Sequence, residues 1–259
     1  MKRSFTVLAT TSLLALSTPT LAANHESDSS GAIDIAATQD ALTKATMRSV
    51  EDKARDGGRR PAEVLHYLGL EKGGTVLDLV ASGGWYSVAA AIATGSEGKV
   101  YAHNPDAALK LRDGAFETEI TARLAANPLS QIERLNTEFA DLGVADNSVD
   151  VALTALNFHD VYNGFGAAVA TGMLLAVKAK LKPGGVLGII DHAGNTDTDN
   201  NTLHRIDPAL ADAVAEAAGF TVERNDMLLD GYDDMSKNVF DPLVRGKTDR
   251  FILKLTKPK

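Results

Sequence analysis

The chain has 259 residues and contains no cysteine, which excludes disulfides, thiolate metal sites and cysteine nucleophiles. A domain of this size can bury a complete hydrophobic core without disulfides. A cysteine-free chain also avoids mispairing in an oxidising compartment. The absence of cysteine therefore excludes thiol chemistry but does not restrict the fold class.

Basic residues are in the minority, with 26 Lys and Arg against 34 Asp and Glu and a net charge of −8. Nucleic-acid binding depends on a positive surface, so no nucleic-acid partner is predicted. Long apolar runs are also scarce. No second long apolar stretch follows the first one, at residues 5–16. The mature chain is therefore expected to have no stable membrane span. A small molecule is the expected partner, and the sequence carries no signal for an oligomeric state.

The first 22 residues have the pattern of a secretory signal peptide. Two basic residues at positions 2 and 3 precede a mostly apolar stretch over residues 5–16, and small residues follow at positions 20–22. The apolar stretch is too short for a stable anchor. We predict cleavage after residue 22 or 23 and a periplasmic or secreted protein, the alternative being a membrane anchor or a disordered leader.

One domain is expected after the leader. Residues 23–37 are polar and rich in serine, which is typical of a flexible linker. Residues 38–259 show no repeat and no second boundary, and strands alternate with helices through most of their length. That order predicts an α/β fold: a Rossmann-like, doubly wound, mostly parallel seven-stranded sheet in three α-β-α layers.

The elements are predicted from apolar runs, caps and glycine or proline turns. Strands are predicted at residues 75–80, 99–103, 132–136, 149–156, 186–190, 221–223 and 251–255. Helices are predicted at residues 38–55, 61–68, 85–93, 104–126, 167–180 and 208–218. Ligands bind beyond the carboxyl ends of the strands in such sheets, so the loops after the first five strands are the candidate site.

The loop after the first strand, residues 80–84, reads Val-Ala-Ser-Gly-Gly. Small residues let the backbone approach a nucleoside-type ligand, and the following helix adds amide donors at its N-terminus. Tight packing alone also explains a glycine pair at a strand–helix turn. The loop is therefore informative only in combination with other segments.

Four ordered segments together resemble the class I S-adenosylmethionine-dependent methyltransferase family. They are residues 76–85 (VLDLVASGGW), 145–153 (ADNSVDVAL), 181–191 (LKPGGVLGIID) and 217–220 (AAGF). More narrowly, the chain is similar to exported predicted methyltransferases in the motifs at residues 84–86, 157–160, 191–192, 204–207 and 245–251. The resemblance implies an enzyme that transfers a methyl group from S-adenosyl-L-methionine to an unidentified, small-molecule acceptor.

The resemblance also implies a set of cofactor-binding residues. These are Asp78, Ser82, Gly83, Gly84, Asn104, Glu138 and Asn157. Val80 and Ser82 replace two of the family's loop glycines. Asn104, with Asp106 two residues on, stands where the family has an acid that holds the ribose hydroxyls, and Glu138 stands where an acid lies near the adenine. An amide lacks the charge that strengthens such a hydrogen bond, so these departures bear on cofactor affinity more than on the fold.

The acceptor-side candidates follow the fourth and fifth strands. Methyl transfer is an in-line displacement, for which the protein positions the acceptor and supplies a base where a proton must leave. The catalytic candidates are His159, Asp160 and His192, and His159 is the preferred base because histidine titrates near neutrality. The substrate-binding candidates are Tyr86, Asp191, His204, Arg205 and Arg245. Core packing, turns and caps are the competing structural explanation for all of them.

The same polar residues could also meet as a two-His, one-carboxylate metal site. The residues concerned are His159, Asp160, Asp191, His192, His204 and Asp207. None of them shows the helical spacing of a metalloprotease motif, so no metal is predicted.

Two other functions compete with methyl transfer. One is an exported protein on the same fold that holds a small ligand without catalysis; the altered loop favours it, as does the cytoplasmic origin of the cofactor. The other is a nicotinamide-dependent oxidoreductase. The absence of G-x-G-x-x-G after the first strand argues against the second.

Overall fold

The computed structural model describes Met1 and residues 31–125, 129–231 and 234–259. The predicted signal peptide, apart from Met1, lies outside these described residues, as does the predicted linker up to residue 30. The strands in chain order are β1 Thr75–Leu79, β2 Lys99–His103, β3 Ile132–Leu135, β4 Val149–Ala155, β5 Leu181–His192, β6 Thr221–Asn225 and β7 Arg250–Thr256.

All seven strands form one sheet in the order β3-β2-β1-β4-β5-β7-β6. The first five strands pair in parallel, and β7 runs antiparallel between β5 and β6. The prediction of a mostly parallel, seven-stranded sheet is confirmed. The predicted turn at residues 182–185 interrupts the register of β5, because Leu181 pairs with Val149 and Val186 pairs with Val151.

The described residues contain ten helices. They are α1 Ile35–Lys44, α2 Val50–Ala54, α3 Asp56–Arg59, α4 Pro61–Tyr67, α5 Trp85–Thr94, α6 Asp106–Ala125, α7 Phe158–Phe165, α8 Ala167–Lys180, α9 Asn200–Leu203 and α10 Pro208–Ala217. None of them is both long and apolar enough to cross a membrane.

Helices cover both faces of the sheet and so complete the three predicted layers. On one face, Leu68, which follows α4, packs against Gly188 of β5. A Cβ atom added to Gly188 would lie 2.5 Å from Cδ1 of Leu68. On the other face, Leu174 of α8 and Leu187 of β5 belong to a second buried hydrophobic cluster. Both faces of the central strands are therefore apolar, as a sheet between two helical layers requires.

The folded chain begins earlier than the predicted residue 38. Ile33 is buried, and Asp34 caps α1 by accepting a hydrogen bond from the amide of Ala37 at 2.6 Å. The predicted helix at residues 38–55 is wrong in extent, because Ser49 starts a new helix by capping α2 through the amide of Asp52. Two helices, α1 and α2, replace it.

Two further differences concern the loops around the site. The predicted helix of residues 104–126 is broken, since the backbone from Leu111 to Gly114 is not helical; residue 126 lies outside the described residues. Helix α7 was not predicted. Its N-cap is Asn157, a residue type that favours helix starts, but the side chain makes no capping bond and donates to the carbonyls of Val80 and Ala155 instead.

Candidate functional site

The bend of residues 80–84, which joins β1 to α5, keeps a backbone that is typical of glycine. Val80 has a φ of +51°, Ser82 of +53° and Gly84 of +77°. Left-handed backbone brings the Cβ of an L-residue too close to the following carbonyl, at a cost of about 1–2 kcal/mol per residue. It is uncommon for any residue but glycine and exceptional for a β-branched one. Val80 and Ser82 therefore adopt a backbone conformation that favours glycine.

Two asparagines hold this bend. Asn104 is fully buried; its Oδ1 accepts from the amide of Ser82 at 2.8 Å, and its Nδ2 donates to the Ser82 carbonyl at 3.2 Å. Asn157 donates through Nδ2 to the carbonyl of Val80 at 3.2 Å and to that of Ala155 at 2.7 Å. Both residues are among the predicted cofactor ligands. In the structure both the oxygen and the nitrogen of the Asn104 side-chain amide bind the main chain of Ser82.

The two glycines of the bend lie against α6. The carbonyl of Gly83 accepts from Arg123 Nε at 2.7 Å, and the same guanidinium pairs with Asp52 at 2.6 Å. A Cβ on Gly84 would lie 3.3 Å from Ile120 Cγ1. The glycines therefore permit the close approach of α6, and Arg123 connects the bend to the N-terminal helices.

Asp78 joins β1 to the start of α5. Its carboxylate is buried and accepts from the Ser87 hydroxyl at 2.6 Å. Burial raises the pKa of Asp78 to about 7, although the Ser87 hydrogen bonds and the charge of Arg59 act to lower it. Through its hydrogen bond to Ser87, the Asp78 side chain fixes the first turn of α5 against the end of β1.

The two aromatic residues after the bend pack under α2 and α3. Trp85 Nε1 donates to the carbonyl of Asp52 at 3.0 Å, and Tyr86 Oη donates to that of Arg59 at 3.2 Å. Each aromatic side chain is 4% exposed. Tyr86, a predicted substrate contact, is therefore part of the packing that holds the N-terminal helices over the bend.

Arg59 is a functional candidate that the sequence analysis missed. Its guanidinium lies 4.8 Å from the centre of the Trp85 ring and 5.9 Å from that of Tyr86. Burial lowers its pKa. Among the described residues no carboxylate lies within 4.0 Å of it. A guanidinium that stacks on aromatic rings beside the bend, without a close counter-ion, is suited to binding an anionic ligand. The sequence around Arg59 contains no motif that predicts this role.

An open cavity of about 440 Å³ lies beside the carboxyl ends of β2 and β3. Its lining residues are Asp106, Leu109, Lys110, Asp113, Gly114, Glu117 and Asn136. Glu138 is exposed nearby, and its Oε1 accepts from the amide of Asp106 at 3.3 Å. The cavity has the size of a small-molecule site.

The first turn of α7 and the end of β5 bring the predicted catalytic residues together. His159 Nδ1 lies 2.7 Å from Asp191 Oδ1, and its main-chain amide donates to Asp191 Oδ2 at 2.7 Å. Its Nε2 lies 3.2 Å from Asp160 Oδ1. Asp191 is fully buried and also accepts from the amide of His192 at 2.8 Å. The carboxylates therefore bind His159 from both sides of its ring.

This environment sets the charge of His159. Burial by itself would lower the pKa of His159, but the charges and hydrogen bonds of Asp191 and Asp160 outweigh it and raise the pKa to about 10. The ring therefore carries both protons near neutral pH. That state suits a hydrogen-bond donor rather than the base that the sequence suggested.

His192 is in the opposite state. Burial, and after it the positive charge of Arg250, lowers the pKa of His192 well below its ordinary value. Its Nδ1 lies 2.8 Å from Thr248 Oγ1, which accepts from Arg250 Nε at 3.2 Å. His192 is thus a neutral ring, and Thr248 Oγ1 connects it to Arg250.

His204 completes the cluster from the loop after α9. Its Nδ1 lies 3.3 Å from Asp160 Oδ1, so that one carboxylate oxygen contacts two imidazoles. Its ring lies 5.0 Å from that of Phe240. The side chains of His204 and Asp160 are 38% and 59% exposed, so the cluster is open to solvent on this side.

The two predicted substrate arginines lie elsewhere. Arg205 is fully buried and donates to the carbonyl of Ala193 at 2.9 Å and to that of Lys237 at 3.3 Å. It joins two loops of the domain. Arg245 is exposed, and among the described residues it makes no side-chain contact with the cluster.

The fold matches those of solved S-adenosylmethionine-dependent methyltransferases. One from Aquifex aeolicus aligns over 86% of this chain and 98% of its own, with 21% identity and a TM-score of 0.59. An O-methyltransferase of this kind from Thermotoga maritima aligns over 78% of this chain and 65% of its own, with 15% identity and a TM-score of 0.51. A possible exported protein from Bordetella parapertussis aligns over 80% of this chain and 68% of its own, with 17% identity and a TM-score of 0.52.

No protein-family profile matches the sequence, and no curated protein sequence matches it either. At these identities the likeness establishes the fold of the chain.

Proposed function

We propose that this protein is an exported S-adenosylmethionine-dependent methyltransferase that acts on a small-molecule acceptor. The observation that carries the proposal is the left-handed backbone of the bend at Val80, Ser82 and Gly84. Asn104 and Asn157 maintain that costly path through partly buried hydrogen bonds. Strain of this kind persists where the surrounding structure imposes it, and it is concentrated at functional sites.

The bend fits the adenosyl group in two respects. Val80, Ala81 and Ser82 are only half-buried, and the indole of Trp85 is turned to α2. The first helical hydrogen bond of α5 runs from Val88 to Gly84, so the earlier amides of the first turn have no helical partner. The Ser87 amide binds the Asp78 carboxylate, so the amides of Trp85 and Tyr86 are the proposed donors to the ligand.

Arg59 is proposed to bind the carboxylate of the cofactor's amino-acid part. It is positively charged, lies on the two aromatic rings that follow the bend and has no carboxylate within 4.0 Å among the described residues. A guanidinium matches the geometry of a carboxylate through paired hydrogen bonds.

The cavity beside β2 and β3 is proposed to receive the other end of the cofactor. Asp106 and Asn136, which follow these two strands, line it, and Glu138 lies next to it. Carboxylate and amide oxygens accept hydrogen bonds from ribose hydroxyls and from an exocyclic amine. Asp106 thus replaces Asn104 as the proposed ribose contact.

The acceptor is proposed to bind where the cluster is exposed, at Asp160 and His204. When bound, S-adenosylmethionine supplies a methyl group that is already activated on sulfur. The acceptor would present an oxygen or nitrogen that loses a proton on methylation. Asp160 is placed to take up the proton that the acceptor loses, while His159 and His204 orient its carboxylate.

Export is the second part of the proposal. It rests on the leader pattern of residues 1–22 and is supported by the likeness to a possible exported protein. Mass spectrometry of the protein from a periplasmic fraction tests it. The expected N-terminus is residue 23 or 24, and an intact residue 1 in a cytoplasmic fraction would contradict export.

Calorimetric titration with S-adenosylmethionine, S-adenosylhomocysteine and NAD tests the cofactor. We expect binding of the first two and none of NAD. Ser82→Tyr fills the bend at a residue whose φ is already +53°, and we expect it to abolish binding. Ser96→Tyr is the matched control, because Ser96 is exposed in the turn before β2, at the opposite edge of the sheet. Binding that survives in Ser82→Tyr would overturn the proposed site.

A further inference from the structure

We infer that His159, Asp160 and His204 form a binding site for a divalent transition-metal ion. The inference goes beyond methyl transfer and does not depend on it. An ion at this site would displace the second ring proton of His159 and would occupy the Asp160 carboxylate that otherwise takes up the acceptor's proton. The sequence analysis predicted no metal, because these residues show no ligand spacing along the chain. The fold brings them together from two separate elements: His159 and Asp160 lie in the first turn of α7, and His204 directly follows α9.

The spacing of the three side chains is the first argument. One ligand atom from each residue lies within 4.8 Å of the others. Nε2 of His159 and Nδ1 of His204 lie 3.2 Å and 3.3 Å from the same oxygen of Asp160. Two ligands at the usual distance from a tetrahedral zinc ion are about 3.4 Å apart. Two of the three ligand pairs therefore stand at the separation that an ion between them requires, and the third pair lies within 4.8 Å.

The groups behind the ligands are the second argument. Asp191 Oδ1 lies 2.7 Å from His159 Nδ1, and two main-chain amides hold the Asp191 carboxylate in place. A carboxylate on one ring nitrogen is the usual partner of a metal-binding histidine, because it turns the other nitrogen to the ion. Phe240 packs against the ring of His204, at 5.0 Å between ring centres.

Exposure and charge agree with this arrangement. His159 is buried, whereas Asp160 and His204 are open to solvent, which gives an ion a path into the site and leaves coordination positions for water or a substrate. The carboxylates of Asp160 and Asp191 together match the charge of a divalent ion. Two imidazoles and one carboxylate suit zinc, cobalt, nickel or ferrous iron, whereas magnesium and calcium prefer oxygen ligands.

The test uses the full-length chain without an affinity tag, freed of metal with a chelator. Zinc is titrated by calorimetry, and cobalt by its visible absorption. We expect one ion per chain and a loss of affinity of at least about 100-fold in Asp160→Asn and in His204→Asn. Asparagine tolerates the φ of +54° at position 204, so the variant keeps its backbone.

Asp197→Asn is the matched control, because it removes the same charge from an exposed position in the loop after β5. Zinc should raise the Tm of the wild type and of this control and leave that of the two ligand variants unchanged. No binding by the wild type, or equal binding by all four proteins, would overturn the site. S-adenosylhomocysteine is titrated separately into the metal-free chain, so that failure of the metal site and failure of the cofactor site are told apart.

Discussion

The side-chain amide of Asn104 holds the main chain of Ser82 from both sides, accepting from its amide at 2.8 Å and donating to its carbonyl at 3.2 Å. Asn104 follows β2 and Ser82 follows β1, so the pair joins the ends of two adjacent strands. Asn104 is fully buried and Ser82 is half-buried, so the two bonds are partly shielded from water. This pair is what keeps a serine in the backbone conformation that glycine prefers.

Asn104→Ala should therefore lower the free energy of unfolding by about 1–3 kcal/mol, since it leaves two main-chain groups without partners. It should also weaken S-adenosylhomocysteine binding through loss of the bend. Urea unfolding and calorimetry measure the two effects. Asn104→Asp keeps the acceptor for the Ser82 amide but turns a carboxylate oxygen to the Ser82 carbonyl, so we expect a larger loss. A neutral effect of both variants would argue that the pair does not hold the bend.

Ser82→Gly should raise the free energy of unfolding by about 0.5–1 kcal/mol, because glycine adopts a φ of +53° without the clash that serine meets there. Thermal unfolding measures the change. Ser96→Gly is the comparison, since Ser96 has no positive φ and glycine there adds only freedom to the unfolded chain. Equal effects of the two substitutions would show that the bend is not strained at Ser82.

Asp78 predicts a specific pH dependence. Because burial raises its pKa to about 7, above the unfolded value near 3.9, the folded state favours the neutral carboxyl. Its contribution to stability is complete below about pH 4 and is lost as the pH rises through about 7. Relative to Asp78→Asn, the free energy of unfolding of the wild type should fall by up to roughly 4 kcal/mol over that interval.

Urea unfolding of both proteins between about pH 4.5 and 7.5 measures this difference. Asp197→Asn supplies the baseline, because Asp197 is exposed. A constant difference between wild type and Asp78→Asn across the interval would show that the buried carboxyl does not titrate there.

Arg59→Met should weaken S-adenosylhomocysteine binding by about tenfold or more, since it removes a charge-assisted hydrogen bond to the ligand carboxylate. Binding of 5′-methylthioadenosine, which lacks the amino-acid part, should change little. Arg55→Met is the control, because Arg55 lies in the same segment and is 42% exposed. Equal losses for both ligands would mean that Arg59 acts through packing on Trp85 and Tyr86.

The sequence by itself determined the element order and most of the architecture. Apolar strand runs alternate with helices whose starts and ends are signalled locally: Asp207 caps α10, Pro208 opens it, and Gly219 follows it with a φ of +74°. Parallel strands need helical crossovers, so that order leaves little choice of fold. The bend at residues 80–84 was also placed correctly between β1 and α5, because small residues between a strand and a helix are a local signal.

Only the tertiary structure decided what the polar side chains of the site contact. Nothing local indicates that Asn104 turns to the main chain of Ser82, that Arg59 stacks beside the bend, or that Asp160 meets both His159 and His204. The protonation of His159 follows in the same way, because two carboxylates from different parts of the chain set its pKa. Periodicity and capping act between residues that are close in sequence, whereas hydrogen bonds and charge act between residues that the fold has brought together.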